Sequence, residues 1–259
     1  MIAARRPLSL DQVRVLAPSA FAEHPHDGVS DKYSFIPTIR MIESLTKEGW
    51  NIVQAGEHRV RNQSKKGYQK HLLRFNHPSL PRVADSEIDL LVYNSHDRTS
   101  AFKFCAGMFR FVCTNGLAVG TNLFEPISVR HFGFKADNVI NASYRLIDNV
   151  PKITDQVKRF TEIPLEPQER EIYAANALSL KYDVGKMPIT AVQALQVRRY
   201  DDNKNDLWSV FNRVQENLIK GQRRTWQHKA TRKIGSISAA LKLNQALRTL
   251  TEKMAELKG

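Results

Sequence analysis

The spacing of apolar residues changes period about halfway along the chain. Between residues 50 and 113 apolar and polar positions tend to alternate, as in strands with one buried face; beyond residue 139 they step by three and four, as in amphipathic helices. WNIVQAGEHRVRN (50–62) and GYQKHLLRFNH (67–77) read as two strands flanking NQSKKG, a hairpin signature, and SEIDLLVYN (86–94) reads as a third. AFKFCAGMFRFVC places Phe109, Phe111 and Cys113 on one side and Met108, Arg110 and Val112 on the other. It runs into Asn115-Gly116, a type I′ turn pair that predicts a hairpin returning through LAVG, and ISVRHFGF predicts a last strand.

Helices bracket this region. Ser9 with Gln12 forms a capping box for a short helix ending near Pro18, and Pro37 opens a helix whose Ile39, Ile42 and Leu45 share a face, closed by Gly49. Val139, Ala142, Leu146, Val150, Ile153, Val157 and Phe160 predict one long helix kinked at Pro151. A helix over roughly 167–182 follows. Leu207, Phe211, Val214 and Leu218 then line a helix that Gly221 stops, and Ala240, Leu243, Leu247, Leu250, Met254 and Leu257 line a last one, a packing stripe too short for a coiled coil. Strands first and helices after predict an α+β fold: an antiparallel sheet of hairpins in the N-terminal half packed by a long helix, with a helical C-terminal half. The expected division is residues 1–163 as the α+β core and 164–259 as a helical region with a basic connector, together one continuous domain.

Composition is that of a globular protein, 42% apolar and 25% charged over 259 residues. Charge is what departs from the ordinary, 39 Lys and Arg against 26 Asp and Glu for a net +13, a field that attracts polyanions. The surplus is uneven, since the stretch from Arg198 onward holds 14 basic and 6 acidic residues. No helix pairs an aromatic apolar face with a continuous basic one, so a membrane surface is not the expected partner. MIAARRPLSLDQV lacks the apolar stretch of a secretion signal, and Cys105 and Cys113 have no companion at metal-ligand spacing; both point to a cytoplasmic protein with free thiols.

Candidate chemistry is sparse. Glu23-His24-Pro25-His26-Asp27 reads as a solvated turn rather than a metal cluster, and Asn94-Ser95-His96-Asp97 as an Asx-rich turn, because sequence neighbours rarely assemble a triad. The chain has no Gly-rich phosphate loop and hence no expected nucleotide cofactor. Asp85, Glu87 and Asp89 alternate onto one strand face, as in some metal-dependent nucleases, but the matching lysine is missing and ion pairs with a neighbouring basic strand account for them.

Two basic, aromatic-bearing segments remain. Arg59, Arg61, Lys65, Lys66, Tyr68, Lys70 and Arg74 decorate the first hairpin; Arg59 with Arg61, and Lys70 with Arg74, are expected on shared strand faces. IKGQRRTWQHKATRKIGS (219–236) carries Arg223, Arg224, Trp226, Lys229, Arg232 and Lys233 and no carboxylate, on a long connector between two helices. Cations at intervals hold a phosphate backbone, and Tyr68 and Trp226 supply planes on which unpaired bases stack.

NSHDRTSAF, GMFRFVCTNGLAVG, NDLWSVFNRVQENLIKG, TRKIGSI and LKLNQALRTL, in that order, resemble the phage- and plasmid-borne family of unknown function numbered nine-hundred-thirty-two, from about Pro7 to the C-terminus. The resemblance carries no catalytic residues; its setting on mobile elements implies a role in DNA entry, recombination or evasion of host defence. A long helix across a sheet is also similar to the phage single-strand annealing recombinases of the Redβ and RecT type, an analogy that assigns no residue. The expectation is therefore a non-enzymatic, ATP-independent binder of single-stranded DNA that anneals complementary strands as a homo-oligomer in a bacterial host. The alternatives are an anti-defence protein that binds a host protein and, behind it, a metal-dependent nuclease.

Overall fold

The computed structural model describes residues 6–29, 33, 35–60, 62–80, 82–83, 86–100, 102–110, 120–122, 127–129, 136–221, 223, 225, 229–235 and 237–258. Phe111 to Cys113 and the Asn115-Gly116 turn lie outside them. The chain divides into two compact units, the first comprising Met1–Gly116 and Leu123–Val150, the second Leu117–Asn122 and Pro151–Gly259.

The first unit opens with α1 (Leu10–Leu16), started by the expected capping box: Gln12 N donates to Ser9 Oγ (3.2 Å) and Ser9 N to Gln12 Oε1 (2.9 Å). A 3-10 turn (Pro18–Phe21) follows, then α2 (Thr38–Lys47), which buries Met41, Ile42 and Leu45. The inward face of α2 is thus turned toward Thr38 and Met41, one residue earlier than expected, with Ile39 only half-buried.

The sheet comprises β1 (Asn51–Glu57), β2 (His71–Asn76), β4 (Ser86–Asn94) and β5 (Phe102–Arg110) in that spatial order, every neighbour antiparallel. Two short strands join it, β3 (Arg82–Val83) on β4 and β7 (Ile127–Val129) on β5. Register puts His71, Leu73 and Phe75 of β2 on one face with Leu90, Val92 and Asn94 of β4, and Leu72 and Arg74 on the other with Asp89, Leu91 and Tyr93. All ten are buried. The first two strands are therefore not a free arm: β2 is hydrogen-bonded on both edges and covered on both faces.

One long helix, α3 (Ala136–Glu162), runs without interruption through Pro151, where the division between units falls. Its second half buries Val150, Ile153, Val157 and Phe160, the expected stripe.

The second unit also holds a short strand β6 (Gly120–Asn122) and four helices: α4 (Pro167–Ser179), α5 (Ala191–Ala194), α6 (Leu207–Lys220) and α7 (Ile237–Lys258). Asp206 caps α6, accepting from Ser209 N at 2.9 Å, and every residue of α6 from Leu207 to Ile219 is buried, so α6 is the central rod of the unit. Along α7 the inward positions are Ala240, Leu243, Asn244, Leu247, Thr251 and Ala255; Leu250 and Met254 are half-buried and Leu257 is exposed. Asn244 and Thr251 are satisfied where they are buried: Gln215 Nε2 donates to Asn244 Oδ1 (3.0 Å), and Thr251 Oγ1 lies 2.8 Å from the Tyr173 hydroxyl. The fold is α+β as expected. α5 and the 3-10 turn Tyr200–Asp202 were not foreseen.

Candidate nucleic-acid interface

β1 ends at Glu57, and His58 to Val60 belong to an irregular connection that reaches a 3-10 turn (Gln63–Lys65). Asn62 accepts from Ser64 N (3.1 Å) and Ser64 Oγ (3.0 Å), and Gly67 N donates to Gln69 Oε1 (2.6 Å), so side chains shape the tip. Arg59 is exposed but stands past the strand, so no strand face pairs it with Arg61, which lies outside the described residues. Lys66 is exposed, Lys70 half-buried, and Lys65 sits 3.4 Å from Asp97. Burial alone would raise the Asp97 carboxyl; the hydroxyl and amide of Thr99, with Lys65, outweigh it and hold the acid below its ordinary range.

Two of the expected contact residues are occupied by protein. Arg74 is 2% exposed and its guanidinium grips Asp89, which also accepts from Asn76 Nδ2 at 3.0 Å. Arg74 is therefore not a surface cation: a buried arginine paired with a buried acid has no face left for phosphate. Asp89, offered as a nuclease ligand, is spent in the same pair, Glu87 is half-buried, and Asp85 is not described. Tyr68 is half-buried with the rings of His24 and His26 at 5.7 and 5.4 Å, and its hydroxyl lies 3.3 Å from His24 Nδ1. The segment read as a solvated turn thus packs on the aromatic assigned to base stacking.

A polar network lies beneath this surface. Fully buried His71 is flanked by Ser19 Oγ (3.1 Å from Nδ1) and Thr38 Oγ1 (2.8 Å from Nε2); Thr38 Oγ1 also accepts from Asn94 Nδ2 (3.0 Å) and lies 3.3 Å from His96 Nε2. Burial pushes the His71 pKa down to about 4, so the ring is neutral at pH 7. Asn94, Ser95 and His96 are also wholly buried; Asn94 is the last residue of β4 rather than part of a turn, and its amide donates to Ile36 O (3.2 Å), tying the sheet to the segment before α2. Being closed to solvent, the network acts as a polar fastener of the core.

In the second unit the basic connector is a folded element. It leaves α6 through Gly221, whose φ of +61° suits glycine and whose missing Cβ would stand 2.6 Å from Thr231 O. The chain then turns back on itself: Thr231 N donates to Arg223 O (2.8 Å), Thr225 N to Lys229 O (2.7 Å) and Ile234 N to Ile219 O (2.9 Å), while the hydroxyl of Thr231 accepts from Arg223 N (3.0 Å). Lys229, Arg232 and Lys233 are exposed, and none is in an ion pair among the described residues. Arg224 and Trp226 lie outside them.

Arg223 points inward instead. Its Nε and Nη2 donate to Asn217 Oδ1 (2.8 and 2.6 Å) and its Nη1 to Gln196 Oε1 (2.6 Å). The same amide oxygen accepts from Arg198 Nε at 2.6 Å, and Arg198 Nη2 donates to Gly221 O. Asn217 is held in turn by donating to the carbonyls of Ala194 (2.7 Å) and Gln196 (2.8 Å). One residue earlier, buried Glu216 takes Arg199 (3.0 Å) and Lys220 (2.6 Å). Burial would raise Glu216, but those two cations pull it below its ordinary range, whereas burial and the neighbouring Arg198 depress Arg223.

The sequence reading passed over Arg198, Arg199 and Tyr200. The signal was an Arg-Arg-Tyr triplet in a stretch without apolar periodicity, close in sequence to the basic connector. The hairpin cations and the connector cations fall in different units; the convergence found here is between the connector and the 196–200 segment of the same unit.

Residues 25–248 match the family described as "Domain of unknown function (DUF932)". The chain is 33% identical over 252 residues to UPF0380 protein YfjQ of Escherichia coli (strain K12), covering 95% of this chain and 91% of the relative. It is 32% identical over the same length to UPF0380 protein YafZ of that strain, with the same coverage. No solved structure matches. The chain belongs to the DUF932 family, as its five ordered motifs led us to expect.

Proposed function

We propose that this protein is an ATP-independent nucleic-acid-binding protein of a mobile element that prefers single-stranded DNA and anneals complementary strands as a homo-oligomer. The observation that carries the reading is the connector: Lys229, Arg232 and Lys233 are exposed, free of ion pairs among the described residues, and held on a backbone tied by its own hydrogen bonds. Cations neutralised by local carboxylates release no counterions on meeting a polyanion; these three are not so neutralised. Arg59 and Lys66 add exposed charge on the first unit. Holding a strand by its backbone leaves the bases open to a complementary strand, and subunits repeated along the strand keep it extended.

Fluorescence anisotropy with labelled single- and double-stranded oligonucleotides across a salt series tests this. A site that neutralises six phosphates of a single strand gives a log-log salt slope of about −4. Affinity of micromolar or weaker without salt dependence refutes the proposal, and equal affinity for duplex refutes the strand preference. Annealing is read separately, from the rate at which complementary labelled strands pair with and without protein and without nucleotide.

A further inference from the structure

We propose, resting on that reading, that the second unit carries a phosphodiester-binding ledge in which Arg198 and Arg223 hold one phosphate and Tyr200 stacks under the neighbouring base of a single DNA strand. Three observations meet here.

The first is a cation pair without an anion. The guanidinium groups of Arg198 and Arg223 both donate to one neutral oxygen, Asn217 Oδ1, at 2.6 to 2.8 Å. Among the described residues no carboxylate is in ion-pair contact with either of them, and Glu216, the acid whose charge reaches both, is itself taken by Arg199 and Lys220. Two like charges pressed together and half withdrawn from water repel each other, and a bound anion relieves both costs. Burial depresses both groups; Arg199 adds to the shift of Arg198 and Arg198 to that of Arg223, with Glu216 opposing each. Capping of α6 accounts for part of the arrangement, since Arg198 Nη2 donates to Gly221 O. It does not account for Arg223, which reaches Asn217 and Gln196 and no backbone carbonyl of α6. Nor does capping use Arg198 Nη1, which has no acceptor among the described residues and is free to bind an oxyanion.

The second is Tyr200, 91% exposed and two residues from Arg198. It is carried on a fixed turn: Asp202 N donates to Arg199 O (3.1 Å), Asn203 N to Tyr200 O (2.9 Å), and Asp202 is itself buried. An exposed aromatic ring on a hydrogen-bonded turn, two residues along the chain from Arg198, is free to stack a base.

The third is continuity. Arg198 donates to Gly221 O, and the backbone of Arg232 packs so close to Gly221 that an added Cβ would meet it at 2.7 Å. The exposed run of Arg232 and Lys233 therefore begins beside the pair and extends the positive track along a strand.

The test uses the full chain, a labelled oligo(dT), and an abasic strand of the same length. Loss of one base stack in Tyr200→Ala weakens oligo(dT) binding by about 5- to 150-fold, Tyr200→Phe restores it, and Tyr200→Ala leaves abasic-strand affinity unchanged. Arg198→Gln with Arg223→Gln lowers the salt slope by about 0.7, the share of the one phosphate the two hold, on both strands. Because Tyr200 is exposed, its variants stay informative even if the double arginine variant fails to fold. Wild-type affinity of Tyr200→Ala for oligo(dT), or a loss of equal size on the abasic strand, overturns the ledge. If in that case Lys229→Glu with Lys233→Glu still abolishes binding, the broader DNA-binding reading survives without it. No binding of either strand by the wild-type chain at low salt removes both.

Discussion

Gly221 is the joint on which the connector turns, and substituting alanine there tests the local geometry by magnitude. Two separate costs are expected. A Cβ at φ +61° and ψ −136° lies in territory that non-glycine residues avoid, at a cost of about 1–3 kcal/mol. The added methyl would also meet Thr231 O at 2.6 Å and the carbonyl carbon and oxygen of Arg232 at 2.7 Å, backbone atoms that cannot swing aside, which adds about 1–3 kcal/mol of overpacking. Gly185→Ala isolates the first cost, since Gly185 has φ +85° and open space around it; about 1–2 kcal/mol is expected. Gly235→Ala carries neither cost and is the control. Urea denaturation followed by tryptophan fluorescence reads the second unit through buried Trp208. At a slope of about 2 kcal/mol/M, a loss of about 4 kcal/mol moves the midpoint of Gly221→Ala down by about 2 M, against under 1 M for Gly185→Ala. Equal midpoints for Gly221→Ala and Gly185→Ala would show that the backbone of Thr231 and Arg232 does not press on this joint, and the account of the connector as a tied element fails with it.

Other outcomes follow from the first unit. Arg74→Met strands the buried Asp89 carboxylate and should cost about 3–5 kcal/mol in urea denaturation, while Arg74→Met with Asp89→Leu recovers most of that; a double variant as unstable as the single one refutes the pairing account. His71 is held neutral, with its pKa lowered from 6.5 to about 4, so the unfolded chain binds the extra proton first as pH falls. Stability should fall from about pH 6.5 and level off near pH 4, with about 3 kcal/mol of that loss due to this group. His71→Gln should remove that share from a pH series of denaturation midpoints, and an unchanged pH profile refutes it.

The fold was legible wherever one residue type decides one geometry. Ser9 with Gln12 and Gly at 221 each marked a helix end that the structure keeps, because each supplies a local hydrogen bond or dihedral that needs no tertiary partner. The inner face of α7 was misplaced for the opposite reason. Leucine at 250 and 257 looked like core and Thr251 like surface, yet Thr251 is buried because Tyr173 of α4 offers it a hydroxyl, a partner 78 residues away in sequence. Helix periodicity finds a stripe but not which shoulder of it meets a neighbour, and a buried threonine with a distant partner shifts the stripe by one residue.

For the site, what failed was the step from counting charges to counting free charges. β2 offered Arg74 and β4 offered Asp89, and both the ion-pair reading of the acid and the phosphate reading of the arginine were on hand; they compete for one guanidinium. The ion pair wins because β2 is a central strand, and a charge inside a covered sheet must be neutralised where it stands. The same sorting removes Lys65, Arg199 and Lys220, each beside a carboxylate, and leaves Lys66 and the connector cations at the surface. It also promotes Arg198, a residue no charge run singled out, since what marks it is a shared neutral acceptor and not a neighbour in sequence. Net charge counts every cation alike, whereas a surface is set by those that no carboxylate has claimed, and among the described residues of the connector these are Lys229, Arg232 and Lys233.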